Sequence, residues 1–264
     1  MCWIDVSSAD PAGTRAFYAG LFGWTYDIDP DRAYYTTALL DGRPVAGLAG
    51  FPVPSALTAT WTMYLASANV DYIAGVLDER AGQVSSGPTE VPGQGSVLIG
   101  ADPTGASVGF WQPARPWRFH TLEPGSLVWA ELRTRDGASA DEFFATLFGY
   151  RQTQIGDGHG EDYTVWSLGE QTILGRLRIG PDWPPDIPAH WMLHFAVDPQ
   201  SGTDAAVNRV VELGGRVDVY PYTTELGRIA LVTDPSGAPF ALIDPATRLQ
   251  PTTDSARVDD PYAD

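Results

Sequence analysis

The sequence predicts an α+β protein of two tandem domains, and three observations carry that prediction. The first is a repeat. Trp3-Ile4-Asp5-Val6 returns as Trp129-Ala130-Glu131-Leu132, and Phe17-Tyr18-Ala19-Gly20-Leu21-Phe22-Gly23-Trp24 returns as Phe143-Phe144-Ala145-Thr146-Leu147-Phe148-Gly149-Tyr150, both 126 residues further on. The second is that later blocks follow in the same order with small drift. Trp61-Thr62-Met63-Tyr64 matches Trp191-Met192-Leu193-His194, and Asp102-Pro103-Thr104-Gly105 matches Asp234-Pro235-Ser236-Gly237. The third is the rhythm inside each half, where short β-forming runs punctuated by turns alternate with helical stretches.

Taken in order, Cys2 to Ser7 alternates and is rich in β-formers, a strand. Asp10-Pro11 opens a helix, with Asp10 as N-cap and Pro11 at the first helical position. Phe17, Leu21 and Phe22 gather on one face at helical spacing, and Gly23 stops the helix. Strands follow at 34–40 and 44–49 around an Asp41-Gly42 turn. The pattern restarts with a strand at 60–66, a helix at 70–81 closed by Gly82, and strands at 97–101 and 107–111 joined by the Asp102-Pro103-Thr104-Gly105 turn. Each half therefore reads strand–helix–strand–strand–strand, twice over, as paired βαβββ modules. The organisation is a first domain at 1–115, a linker at 116–125, a second domain at 126–246 and a flexible tail at 247–264.

At 264 residues and 44% hydrophobic, the chain has room for two ordinary domains with packed cores. Its net charge is −17 and all 16 basic residues are arginine. That argues against nucleic acid and anionic membrane as partners, since both need a basic face. The lack of lysine removes Schiff-base catalysis and the P-loop lysine, and the acidity reads as solubility charge. No apolar run approaches the roughly 18 residues of a membrane span. The first residues carry no basic n-region, so a cytoplasmic protein without a signal peptide is expected. The one cysteine, Cys2, excludes an internal disulfide framework and reads as a small apolar residue at a strand start.

The element order, the FYAGLFGW and FFATLFGY helix ends, and the DPxG turn before the last strand of each half resemble the vicinal oxygen chelate superfamily. This is the glyoxalase, bleomycin-resistance and extradiol-dioxygenase group, and the pattern is most similar to its two-domain actinobacterial glyoxalase-like type. The resemblance covers about residues 2–244. It implies four βαβββ modules, two per domain, with each domain curling its sheet around a cavity for a small organic molecule. Metal-dependent members carry His, Glu or Gln ligands on the first and last strands of each module. Aligned on helix and turn, those positions fall at Trp3, Ala46, Thr62 and Gly109, and at Trp129, Ile173, Met192 and Ala241. None supplies an imidazole or a carboxylate, so no metal and no other cofactor is expected.

Fold does not give function, so the cavity residues are weighed singly. Alternation puts Asp5 on the face of Trp3 and Glu131 on the face of Trp129. A carboxylate against aromatic walls has a raised pKa and can serve as a general acid or base, or it can simply accept a structural hydrogen bond. His194 stands where the first half has Tyr64, and shares a strand face with His190 and Met192. Either Tyr64 or His194 can polarise an oxygen, or can pack as an ordinary core residue. His190 reads as structural, His159 as a loop residue and His120 as a solvated linker residue. The Gly156–Gly160 run does not sit between strand and helix, which rules out a nucleotide loop. No Gly-x-Ser-x-Gly elbow is present, and Cys2 has no histidine partner within sequence reach.

Trp3, Tyr35, Thr62, Tyr64 and Trp111 are expected to line the first cavity, and Trp129 and Met192 the second. Such walls suit a flat, conjugated ligand, unless the rings fill the cup themselves. One cavity is expected open and the other filled, with more room in the first because Gly109 and Ala46 are smaller than Ala241 and Ile173. Two functional readings stay open. One is a metal-independent isomerase, cyclase or lyase acting on a small aromatic or polyketide-like metabolite through Asp5, Glu131, His194 and Tyr64. The other is a non-catalytic binder that sequesters its ligand; a metal-dependent lyase or dioxygenase comes third. The chain is expected to work as a monomer or homodimer whose partner is a small molecule.

Overall fold

A computed structural model describes residues 1–28, 35–50, 59–155 and 162–248. The first half contributes β1 (Trp3–Ser8), α1 (Pro11–Phe22), β2 (Thr25–Ile28), β3 (Tyr35–Leu40) and β4 (Arg43–Gly50). These are followed by β5 (Thr60–Ala66), α2 (Val70–Glu79), β6 (Gln83–Val91), β7 (Gly95–Ala101) and β8 (Ser107–Pro113). The second half repeats the order with β9 (Leu127–Thr134), α3 (Gly137–Phe148), β10 (Arg151–Ile155), β11 (Tyr163–Leu168) and β12 (Gln171–Arg178). It ends with β13 (His190–Ala196), α4 (Gly202–Glu212), β14 (Arg216–Thr224), β15 (Gly227–Thr233) and β16 (Pro239–Asp244). Asp10 caps α1 through the Gly13 amide and Gly23 closes it in the left-handed conformation; Asp136 and Gly149 do the same for α3.

Each half forms one eight-stranded sheet, in the orders β2-β3-β4-β1-β5-β8-β7-β6 and β10-β11-β12-β9-β13-β16-β15-β14. Two modules thus meet through their first strands, β1 antiparallel to β5 and parallel to its own β4. The strands that periodicity did not locate in the first half, β2 and β6, are the two edges of the sheet. Their residues are mostly exposed, so neither face carries the alternation that marks a half-buried strand.

Alternation sorts the faces of the central strands. Ile4, Val6, Met63 and Leu65 join the main core, while Trp3, Asp5, Thr62 and Tyr64 face the other way. That core runs through both halves. Phe17 meets Phe240 at 6.3 Å and Phe22 stacks on Phe195 at 5.3 Å between ring centroids, and the Tyr18 hydroxyl donates to Asp234. The halves are therefore joined through their helix-bearing faces, which leaves the two opposite faces as separate cups. Among the described residues no helix is long and apolar enough to cross a membrane.

The segment between the sheets is packed. The His120 amide donates to Pro44 O at 2.8 Å and the Trp24 indole donates to Gly125 O at 2.8 Å. His120, expected to be solvated, lies 3.0 Å from the Glu123 carboxylate because the segment turns back on itself there. Past β16, Pro245–Thr247 make one 3-10 turn, and Thr247 accepts from the Arg228 amide. Tyr34, His159 with its glycine run, and the tail from residue 249 lie outside the described residues.

Candidate functional site

Matching registers give each cup the same arrangement. In the first, Asp5 lies beside Gly47 and opposite Thr62, and Tyr64 lies opposite Trp3 and beside Gly109. In the second, Glu131 lies beside Gly175 and opposite Met192, and His194 lies opposite Trp129 and beside Ala241. A β-carbon at Gly47 or Gly175 would fall on the hydroxyl of Tyr35 or Tyr163, so glycine there makes room for a tyrosine ring against the carboxylate.

An indole–phenol–carboxylate relay results in both cups. Trp3 Nε1 donates to Tyr35 Oη at 2.6 Å, and Tyr35 Oη donates to Asp5 Oδ2 at 3.2 Å. Trp129 Nε1 donates to Tyr163 Oη at 2.8 Å, and Tyr163 Oη donates to Glu131 Oε2 at 3.1 Å. The fourth group differs. Tyr64 Oη donates to Asp5 Oδ2 at 3.0 Å, whereas in the second cup Arg133 and His194 converge on the other carboxylate oxygen. Arg133 places Nε and Nη2 each 2.8 Å from Glu131 Oε1, and His194 Nε2 stands 3.6 Å from it.

The two carboxyls are driven apart in consequence. Burial without a cation pushes Asp5 up to about 6, although both tyrosine hydroxyls pull it down. Burial also raises Glu131, but the Arg133 guanidinium and then His194 outweigh it, and the group falls to about 2. Burial and the neighbouring carboxylate raise Tyr35, Tyr64 and Tyr163. Both ring nitrogens of His194 are buried and, among the described residues, have no hydrogen-bond partner. The Trp183 ring lies over the Arg133 guanidinium at 5.7 Å, and Arg135 ties down that loop by donating to Gly180 O and Pro184 O.

The structure brings Asp5, Tyr64, Trp3 and Tyr35 into one hydrogen-bonded cluster; Thr62 and Trp111 share the face without bonding to Asp5. Glu131, His194 and Trp129 converge in the second cup. Met192 joins Ile229, Ala241 and Ile243 in a small apolar cluster on that side. His190 binds the Pro188 carbonyl at 2.9 Å. Sequence reasoning missed Tyr163, which was findable as the repeat mate of Tyr35, and Arg133, one more alternation step from Glu131. It also missed Trp117 and Phe119, which carry no signal because they lie in the linker.

Those linker rings pack against the first cup. Trp117 stands edge-on to Trp3 and to Trp111, 5.3 Å from each, and Phe119 is 5.5 Å from Trp3. Trp3 is buried against these rings and Trp129 is only partly buried, but Tyr35, Thr62 and Tyr64 are half-buried while Glu131, Met192 and His194 are buried, so burial does not make either cup the more open. The alignment of Ala46 with Ile173 also shifts. Both belong to the main core side, and the cup positions beside the carboxylates are Gly47 and Gly175. A separate cavity of about 310 Å³, lined by Leu21, Phe22, Gly125, Val197 and Arg209, lies at the seam of the halves, away from both carboxylates.

Two eight-stranded sheets, each made of paired βαβββ modules with a polar cluster on its inner strands, define a tandem-domain protein of the paired-module class. Residues 126–242 match the model of the Glyoxalase/Bleomycin resistance protein/Dioxygenase superfamily. The chain is 32% identical over 251 residues to the glyoxylase-like protein CFP32 of Mycobacterium bovis, covering 92% of this chain and 94% of that one. It is 33% identical over 258 residues to the anthracycline biosynthesis protein DnrV of Streptomyces peucetius, covering 92% of each. The chain belongs to this superfamily. Among solved structures, the 2,3-dioxygenase LapB from Pseudomonas sp. KL28 has a similar fold, with TM-score 0.63 and 14% identity over 96% of this chain and 93% of that one. The Mn(II)-bound glyoxalase from Novosphingobium aromaticivorans gives TM-score 0.58 and 16% identity over 94% and 84%.

The donor set does not fit a divalent ion such as the Mn(II) of the Novosphingobium glyoxalase. The first cup offers one carboxylate, whose Oδ2 already accepts from two phenols, with Gly47 beside it on β4 and Gly109 beside Tyr64 on β8. The second offers one carboxylate already engaged by Arg133 and Tyr163, plus one imidazole. Among the described residues no group of three or more His, Cys, Asp or Glu is placed to hold an ion.

Proposed function

We propose that the chain encloses a flat, oxygen-bearing organic metabolite in its second cup and moves a proton on it without a metal ion. The observation that carries this reading is His194: a buried imidazole, 3.6 Å from the Glu131 carboxylate, whose ring nitrogens have no hydrogen-bond partner among the described residues. Glu131 is held ionised by Arg133, which makes it a weak proton acceptor and a suitable counter-charge for an imidazolium. His194 is then the group that takes and returns the proton, and Glu131 with Tyr163 positions the charge behind it. Trp129 supplies a flat wall. Asp5, Tyr35 and Tyr64 form the structural copy of the same relay beneath Trp117. That a relative carries anthracycline biosynthesis in its name supports an aromatic polyketide as the ligand class. Sequestration without chemistry is the second reading, favoured by the ion pair that already occupies Glu131.

The test uses 1,8-dihydroxyanthrone, whose acidic ring CH2 exchanges with solvent deuterium through its enol. Binding is followed by tryptophan fluorescence and exchange by proton NMR. The expected result is accelerated exchange that falls at least tenfold in His194→Ala and persists in Tyr64→Phe. Binding that slows exchange supports sequestration. Binding lost in Tyr64→Phe but kept in His194→Ala would put the site in the wrong cup.

A further inference from the structure

From the first cup we infer a second binding site, one for an organic ammonium group received at the unbonded oxygen of the Asp5 carboxylate. It is separate from the site in the second cup and does not depend on it.

The two halves place different groups around the same carboxylate. Glu131 has Arg133 two positions on, with Nε and Nη2 each 2.8 Å from Oε1, so its charge is answered from within the chain. The repeat mate of Arg133 is Ser7, whose hydroxyl donates to the Thr60 carbonyl, and the mate of His194 is Tyr64. No cation among the described residues therefore faces Asp5. Asp5 is 7% exposed, and both of its phenol donors, Tyr35 and Tyr64, bond to Oδ2. Among the described residues no donor bonds to Oδ1. A buried carboxylate without a counter-charge is costly, and burial accordingly holds this carboxyl up at about 6. Above that value it is mostly ionised and still unanswered.

The replacements that remove the cation also leave room beside the carboxylate. Ser7 is much smaller than Arg133, and Thr62, directly opposite Asp5, is smaller than Met192. Ser7, Tyr35, Thr62 and Tyr64 are all half-buried, whereas their counterparts Arg133, Met192 and His194 are buried. Solvent thus reaches the groups that surround Asp5. Trp117 and Phe119 pack on Trp3, at the opposite end of β1 from Ser7. An ammonium group supplies the missing charge and brings donors for Oδ1 and for the Thr62 hydroxyl. The two phenol rings favour a cation further. A neutral alcohol donates to Oδ1 but leaves the charge unanswered, and an anion is repelled.

Calorimetry near pH ~7.5 with 2-naphthylmethylammonium and with 2-naphthylmethanol, matched in shape and differing in charge, measures the preference. The expected result is at least tenfold tighter binding of the ammonium. The net charge of −17 attracts any cation at long range, so the variants decide where it binds, each altering that total by one at most. Asp5→Asn is expected to bring the preference below threefold while affinity for the alcohol is unchanged. Ser7→Arg, which gives the first cup the cation of the second and leaves Asp5 in place, should do the same. The paired Glu131→Gln/Arg133→Gln variant should keep the full preference. Equal binding of the two probes by the wild-type protein, or no binding of either, overturns the inference. So does a preference that survives both Asp5→Asn and Ser7→Arg, or one that is lost only in the paired variant, which would put the cation in the second cup.

Discussion

Asp5 and Glu131 occupy matching positions, accept from matching tyrosines, and yet titrate in opposite directions because only one of them faces a cation. Asp5 has a folded value of about 6 against 3.8 for the free group, so the folded state holds the proton more tightly and stability falls as pH rises through that window. A shift of that size corresponds to about 3 kcal/mol at ~1.36 kcal/mol per unit. Asp5→Asn should thus melt like the wild type near pH ~3.5 and above it by ~1–2 kcal/mol beyond pH ~6, the amide's extra donors offsetting part of the gain. Parallel melting profiles of the two proteins from acid to neutral pH would remove Asp5 as the source. Glu131 behaves inversely. Its folded value of about 2 lies below 4.5, so its contribution is complete above pH 4.5 and is lost as pH falls toward 2. Arg133→Gln strands this carboxylate in the cup and is expected to cost ~3–5 kcal/mol, while Glu131→Gln/Arg133→Gln costs markedly less. Urea denaturation of both variants checks the coupling; a double variant no better than the single one refutes it.

At the scale of elements, the pairing of a glycine on the fourth strand with a tyrosine on the third builds each relay. Gly47→Ala places a methyl on the Tyr35 hydroxyl, so the ring must leave Asp5 and Trp3. The expected cost is ~1–3 kcal/mol of overpacking, with a shift in Trp3 fluorescence as its indole loses its acceptor. An unshifted spectrum with unchanged stability would show that Tyr35 has room to move. The central strands were legible in the sequence because one face is core and the other polar. The outer strands β2 and β6 were not, because exposure on both faces erases the period of two. Tyr163 was legible in principle from the repeat. Trp117 and Phe119 were not, since nothing local in a proline-bearing linker says that it folds back over Trp3.

For the whole molecule, one lost hydroxyl distinguishes the halves at their junction. Tyr18 Oη accepts from Trp61 Nε1 at 3.1 Å and donates to Asp234 Oδ2 at 3.0 Å, tying the first half to the last turn of the second. The repeat mate of Tyr18 is Phe144, and the atoms that would answer it, Trp191 Nε1 and Asp102 Oδ2, are buried without partners among the described residues. Phe144 packs 5.6 Å from Trp191, close enough for a hydroxyl to matter. Phe144→Tyr is expected to stabilise the protein by ~1–2 kcal/mol and Tyr18→Phe to destabilise it by ~1–3 kcal/mol. Chemical denaturation decides; loss of stability in Phe144→Tyr would mean that the second junction has closed around the smaller ring.

The duplication, the module order and the side of the strand on which Asp5 and Glu131 lie were determined by the sequence itself, because repeat spacing and two-residue alternation are carried by neighbouring positions. Only the tertiary structure decided that the halves pack back to back, that linker rings fold over Trp3, and that Glu131 is ionised while Asp5 resists ionisation. These outcomes depend on which groups from distant strands and loops meet at a buried point. Charge and packing energies there are set by distances of a few ångströms, and no local pattern of residues records them.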